Sequence, residues 1–203
     1  VRYTLTSNSG EIWVMFLAPF LGLPLPLLPV QILWINLVTD GLPGLALGVE
    51  PPERDVMRRP PRDPAESIFS RGLWQHVLVV GLFMAAIPLA LGLWGFATAR
   101  PWQTMIFTSL ALLQLGHALA VRSERESLFS LGLLTNAPLL ASVVGTVLLQ
   151  LAVVYWGPLQ TMFRTEPLAF GELVVVLIAS TLVFWAVELE KGFWRHRRRV
   201  VQG

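Results

Sequence analysis

Asn36, Thr39 and Asp40 stand in the middle of PVQILWINLVTDGLPGLALG, residues 29–48, an otherwise apolar stretch about the length of one membrane crossing. A carboxylate at that depth is costly and is normally kept for an ion, a proton or a counter-charge. Residues four apart share a helix face, so Asn36 and Asp40 point the same way, with Thr39 beside them. Gly41-Leu42-Pro43-Gly44 follows at once. Pro43 removes a backbone donor and glycines are weak helix formers, so local unwinding is expected here. Carbonyls freed at membrane depth are tolerated where they line a cavity or hold an ion. Amide, hydroxyl, carboxylate and carbonyl oxygens together suit Ca2+, which takes about 6–8 oxygen ligands. Hydrogen bonding between helices alone would explain the amide, but poorly explains a carboxylate beside a helix break.

A second polar cluster lies upstream. The apolar run Ile12–Leu23 is too short to cross about 30 Å at about 1.5 Å per residue. The first helix, Val1–Leu23, must therefore include the polar turn Thr6–Glu11. Asn8 and Glu11 are three apart and face the same way. Glu11 is then either an ordinary charge at the water interface or a second carboxylate facing the same ion. Further along, Gln114 and His117 share one face of a helix expected over Trp102–Val121. Polar groups at that depth face the bundle. His117 is expected to pack or to hydrogen-bond rather than to bind metal.

NLVTDGLP closely resembles the sixth transmembrane helix of P-type ATPases of the calcium-pump branch. SNSGE, residues 7–11, is similar to the SSN-x-GE pattern of the fifth helix in the reticulum-type pumps, and the resemblance implies ligand roles for Asn8 and Glu11. Met57-Arg58-Arg59-Pro60-Pro61-Arg62 resembles the loop between the sixth and seventh helices. In several calcium pumps the eighth helix supplies a Glu at the Gln114 position. Gln here matches pumps with a single calcium site and lowers the ligand charge. The likeness covers essentially the whole chain, is strong from Ser7 to Pro61, and is mainly topological after Leu128. It implies a set of metal ligands comprising Asn8, Glu11, Asn36, Thr39, Asp40 and Gln114, with no catalytic residue in this segment.

The elements that must position these residues are legible from composition. Of 203 residues, 54% are hydrophobic and only 14% charged, with a mean hydropathy of +0.62. Soluble domains usually carry about 25% charge, so an all-α, polytopic membrane bundle is expected. There is no cysteine, which excludes disulfides and soft-metal transport through thiolates. Four organisational units are expected: 1–49, an ion-site helix pair; 50–72, a cytoplasmic loop rich in Pro and Arg; 73–191, a four-helix membrane scaffold; and 192–203, a basic cytoplasmic tail. On physics alone the 50–72 stretch reads as a solvated linker, since its prolines forbid regular helix. Within the scaffold, helices are expected over Leu73–Phe96, with a kink at Pro88, Trp102–Val121, Asn136–Pro158 and Gly171–Leu189. Gly81 and Ala85 form a small-xxx-small pair suited to close helix packing. Asn136 before Ala137-Pro138 reads as an N-cap.

Six transmembrane helices, the second locally unwound, place both termini in the cytoplasm. Of fifteen Lys and Arg, only Arg100 and Arg164 fall in the alternate connections, which satisfies the positive-inside rule. The same bias explains a pI near 9.7 without nucleic acid. The tail GFWRHRRRVVQG suits anionic lipid headgroups. Short loops point to a prokaryotic plasma membrane. The chain opens Val1-Arg2-Tyr3-Thr4, inside what reads as a helix, and is expected to be a piece of a longer protein. No DKTGT-like, TGE-like or Walker-type loop occurs in these residues. ATP and Mg2+ would act only through parts outside them, which are the expected partners together with membrane lipid. The expected function is the cation-binding segment of an ATP-driven Ca2+ pump. The alternatives are a pump of the same branch for Mn2+ or a monovalent cation, and a stand-alone, non-catalytic membrane fragment.

Overall fold

The computed structural model describes residues 1–51, 73–123 and 128–202. The 50–72 loop therefore lies almost wholly outside the described residues, and the side chains of the basic tail do too. Among the described residues the chain is helical, without strands. Its helices are α1 (Arg2–Leu17), α2 (Pro29–Trp34), α3 (Gly41–Leu47), α4 (Leu73–Ala97), α5 (Trp102–Ala120), α6 (Leu128–Leu131), α7 (Ala137–Tyr155), α8 (Gly157–Phe163), α9 (Phe170–Ser180) and α10 (Leu182–Gln202).

The bundle is built around α5. Residues on every side of it are buried, from Thr104 to Ala120, and it packs against α1, α3, α4, α7, α9 and α10. Among the described residues four stretches are long and apolar enough to cross a membrane: Pro29–Leu47, Leu73–Ala97, Ala137–Tyr155 and Phe170–Gly192. Their outward faces carry exposed apolar side chains such as Leu33, Val79, Leu148 and Ile178, as lipid contact requires. α1 and α5 are not among the four. Both carry polar residues on faces buried by neighbouring helices: Thr6, Ser7 and Glu11 on α1, and Thr108, Gln114 and His117 on α5. A helix that faces protein has less need of apolar side chains than one that faces lipid.

α1 lies along α4 at close range. A Cβ added to Gly81 would stand 2.7 Å from Ser9 Cβ, and one added to Gly10 would stand 3.2 Å from Met84 Cβ. Gly81 and the fully buried Ala85 thus form the close-packing face that their spacing suggests. α4 runs on through Pro88 to Ala97. The first helix stops earlier than its apolar run: α1 ends at Leu17, and Pro19–Leu21 forms a 3-10 turn closed by Gly22 at φ 76°. Pro19 ends this helix, because it offers no donor to extend the ladder.

The central irregularity differs from the expected unwinding. Pro29–Leu47 is a continuous helical rod, with Ile35–Asp40 wound as a π-helical turn between α2 and α3. The break residues Gly41–Gly44 are themselves α-helical. Pro43 has no N–H for the Thr39 carbonyl four residues earlier, and that carbonyl instead accepts from Tyr3 Oη at 3.0 Å. The rod is therefore wide at its middle without being open.

The far end of the rod is held by side chains. Gln31 Oε1 accepts from the Leu28 N–H at 3.0 Å, and Gln31 Nε2 donates to the Phe163 carbonyl at 3.0 Å. Trp34 meets Phe163 edge to face. The connection between the helices expected over Asn136–Pro158 and Gly171–Leu189 thus includes most of a short helix, α8, closed by Arg164 at φ 51°. Asn136 caps α7, its Oδ1 accepting from Leu139 N at 2.9 Å. The last span is broken at Thr181, where Ser180 Oγ bonds back to Val176 O at 2.7 Å and Thr181 Oγ1 to Ile178 O at 2.8 Å. Such back-bonding competes with the helix ladder and bends it.

Candidate cation site

Glu11, on the third turn of α1, is 7% exposed and lies where α1, the π turn and α5 meet. Asn36 Nδ2 donates to its Oε2 at 3.1 Å and Gln114 Nε2 to its Oε1 at 3.0 Å. Three elements, distant in sequence, thus converge on one carboxylate. Asn36 Nδ2 also reaches the Ile32 carbonyl at 2.9 Å. Asn8, Glu11 and Asn36 line a cleft with Ile12, Met15, Phe16 and Ile32.

Asp40 closes the other side. It is 5% exposed, and neither carboxylate oxygen has a hydrogen-bond partner. Its carboxylate faces the hydroxyls of Tyr3 and Ser7 and is near enough to Glu11 for the two charges to couple. Thr39 Oγ1, Asn8 Oδ1, Ser7 Oγ and Gln114 Oε1 are likewise buried without partners. Buried polar atoms are normally paired, so each such atom calls for a water or an ion. Here they cluster, and all are hard oxygens. That donor set fits Ca2+ or another hard cation.

The structure thus brings Asn8, Glu11, Asn36 and Gln114 together directly. Thr39 and Asp40 sit on the next turn of the rod, against the same face of α1. Among the described residues no group of three or more His, Cys, Asp and Glu could by itself hold a metal. A cation here would rest on two carboxylates supplemented by amide and hydroxyl oxygens. Both amides present nitrogen to Glu11. A half-turn of their terminal torsions, which are broad and roughly two-fold, would present oxygen instead.

Two participants escaped the sequence reading. Tyr3 caps the carbonyl that Pro43 leaves free, and Ser7 faces Asp40. Their signal was present as spacing: Tyr3, Ser7 and Glu11 recur every four residues and so share one face of α1. His117 packs, as expected, stacked at 6.0 Å on Tyr3 and 5.9 Å on His76.

Residues 24–193 match the family model described as cation transporting ATPase, C-terminus. The chain is 43% identical over 187 residues to a calcium-transporting ATPase of Bacillus subtilis, covering 90% of this chain and 21% of that protein. It is 34% identical over 205 residues to the human calcium-transporting ATPase type 2C member 1, covering 98% of this chain and 22% of the relative. It is 38% identical over 200 residues to the mouse calcium-transporting ATPase type 2C member 2, covering 94% and 21%. The chain thus spans about a fifth of the length of these relatives.

Proposed function

Since the chain belongs to the cation-transporting ATPase C-terminal family, we propose that it supplies part of the intramembrane ion site of an ATP-driven Ca2+ pump. The observation that carries this reading is the convergence of Glu11, Asp40 and their oxygen-bearing neighbours between α1, the π turn and α5. Two carboxylates offset the dehydration of a divalent ion, and Asn8, Asn36, Thr39 and Gln114 add neutral oxygens. The relatives' names support Ca2+ as the cargo. ATP and Mg2+ would act through sequence outside these 203 residues, and the helices beyond α5 would serve as scaffold in lipid. Both ends of the chain would face the cytoplasm, in keeping with the distribution of Lys and Arg.

Oxygen donors alone do not separate Ca2+ from Mn2+. The test is formation of the phosphorylated intermediate in the full-length pump, with Ca2+ and Mn2+ titrated separately. Ca2+ dependence is expected, and its loss in Asp40→Asn. Phosphorylation driven by Mn2+ alone would reassign the cargo. Unchanged ion dependence in Asp40→Asn would remove Asp40 from the site.

A further inference from the structure

Ten residues after Asp40 the ion-site rod ends in a polar knot that the cation site does not use. Beyond α3 the backbone turns, with Glu50 N donating to the Leu47 carbonyl at 3.2 Å. The Glu50 carboxylate then takes three bonds from Arg122: Nε at 3.1 Å to each oxygen, and Nη2 at 2.8 Å to Oε1. Asn136 Nδ2 adds a fourth, at 2.6 Å to Oε2. Arg122 also holds the Gly132 carbonyl through Nη1 at 2.9 Å and Thr135 Oγ1 through Nη2 at 2.6 Å. Asn136 Nδ2 reaches back to the Ala46 carbonyl, in the last turn of α3, at 3.1 Å. The Arg122 side chain is 1% exposed. One buried cluster thus fastens the end of the rod to the end of α5 and the start of α7.

The rod needs such a fixing point. Its apolar contacts with α5 and α7, through Ala46, Leu115, Leu139 and Val143, are non-directional and tolerate sliding. Its π turn carries one extra residue per turn. Relaxing that turn to α-helix would rotate everything beyond it by roughly 100° per residue of slip. Only α3 and the short turn after it separate Asp40 from the knot. A bidentate guanidinium–carboxylate pair is directional and fixes orientation as well as distance.

We infer that Arg122, Glu50 and Asn136 are positioning residues of the cation site, holding the register of the π turn so that Thr39 and Asp40 face Glu11. They touch no cargo. Their effect is on how well the site closes around the ion, and so on the Ca2+ concentration needed to activate the pump. This inference rests on the pump reading above.

The experiment measures ATP hydrolysis against free Ca2+ in the full-length pump carrying Glu50→Gln, Arg122→Gln, the double variant, and Asn136→Ser. Serine is also a good N-cap, so Asn136→Ser keeps α7 capped while removing the amide that reaches Glu50 and Ala46. Each single variant is expected to raise the half-activating Ca2+ concentration at least about fivefold, more than it lowers the maximal rate. The double variant should be no worse than Arg122→Gln alone, because the two residues act as a unit. Unshifted half-activation in Asn136→Ser, with only maximal rate or protein yield reduced in the others, would overturn the inference and leave the knot structural. A wild-type pump with no Ca2+ activation at all would instead sink the pump reading.

Discussion

Both oxygens of Glu11 accept from amides, while neither oxygen of Asp40 accepts a hydrogen bond, although the Tyr3 and Ser7 hydroxyls face it. The two carboxylates therefore differ in what the protein itself provides to hold them. Gln114 is fully buried, so Gln114→Ala would leave Glu11 Oε1 without a partner in a place water does not readily reach. Leaving a buried acceptor unsatisfied costs about 1–3 kcal/mol, and more for a charged group. Asn36 lies exposed beside the cleft, so its removal opens no enclosed cavity in the bundle. Asn36→Ala is therefore expected to cost less. Thermal unfolding of the detergent-solubilised full-length pump without Ca2+ should show a larger drop in Tm for Gln114→Ala than for Asn36→Ala. The opposite order would mean that Gln114 does not hold Glu11. At this scale the sequence is informative wherever a charge or amide breaks an apolar run. It marks Tyr3 and Ser7 only through their four-residue spacing from Glu11, because a lone hydroxyl in a helix carries little cost that would single it out.

At the scale of elements, the same rod shows what a proline does once the rest of the bundle is present. Pro43 was legible as the cause of an irregularity; its form and position were not. Propensity placed the break in Gly41–Gly44, whereas the helix absorbs the missing donor as a π turn over Ile35–Asp40 and hands the orphaned Thr39 carbonyl to Tyr3. That exchange involves residues 36 apart, beyond the reach of any local pattern. It can be tested as a cycle. Tyr3→Phe leaves the Thr39 carbonyl buried and unpaired, at a cost of about 1–3 kcal/mol. Pro43→Ala restores a local donor to that carbonyl. The double variant should therefore lose less stability than Tyr3→Phe and Pro43→Ala summed, with a coupling of about 0.5–3 kcal/mol. Strict additivity would show that the two residues do not share the carbonyl. The short helix α8 was missed for a related reason. Gly157–Phe163 is a single element of seven residues, set in place by Gln31, Trp34 and Phe163 rather than by its own periodicity.

For the whole molecule, hydropathy alone and packing give different accounts of the crossings. Four described stretches are apolar enough to span, and α5 is not among them. Yet α5 lies at the centre, packed against α4, α7, α9 and α10. On the packing account, a helix enclosed by spanning helices crosses with them, its polar side chains satisfied by protein contacts instead of lipid. The two accounts make opposite predictions for the connections on either side of α5. If α5 crosses, Thr98 and Leu134 lie on opposite faces of the membrane. If only the four apolar stretches cross, both lie on the same face. Both residues are exposed, and the chain contains no cysteine of its own. Thr98→Cys and Leu134→Cys, each introduced in a full-length pump cleared of other reactive cysteines, can be labelled with a membrane-impermeant thiol reagent in sealed cells. Thr98→Cys is expected to react from outside, and Leu134→Cys only after permeabilisation. Labelling of both from one side would remove α5 from the set of crossings. Gln114 would then no longer lie at membrane depth beside Glu11, and the cation site would lose its third wall.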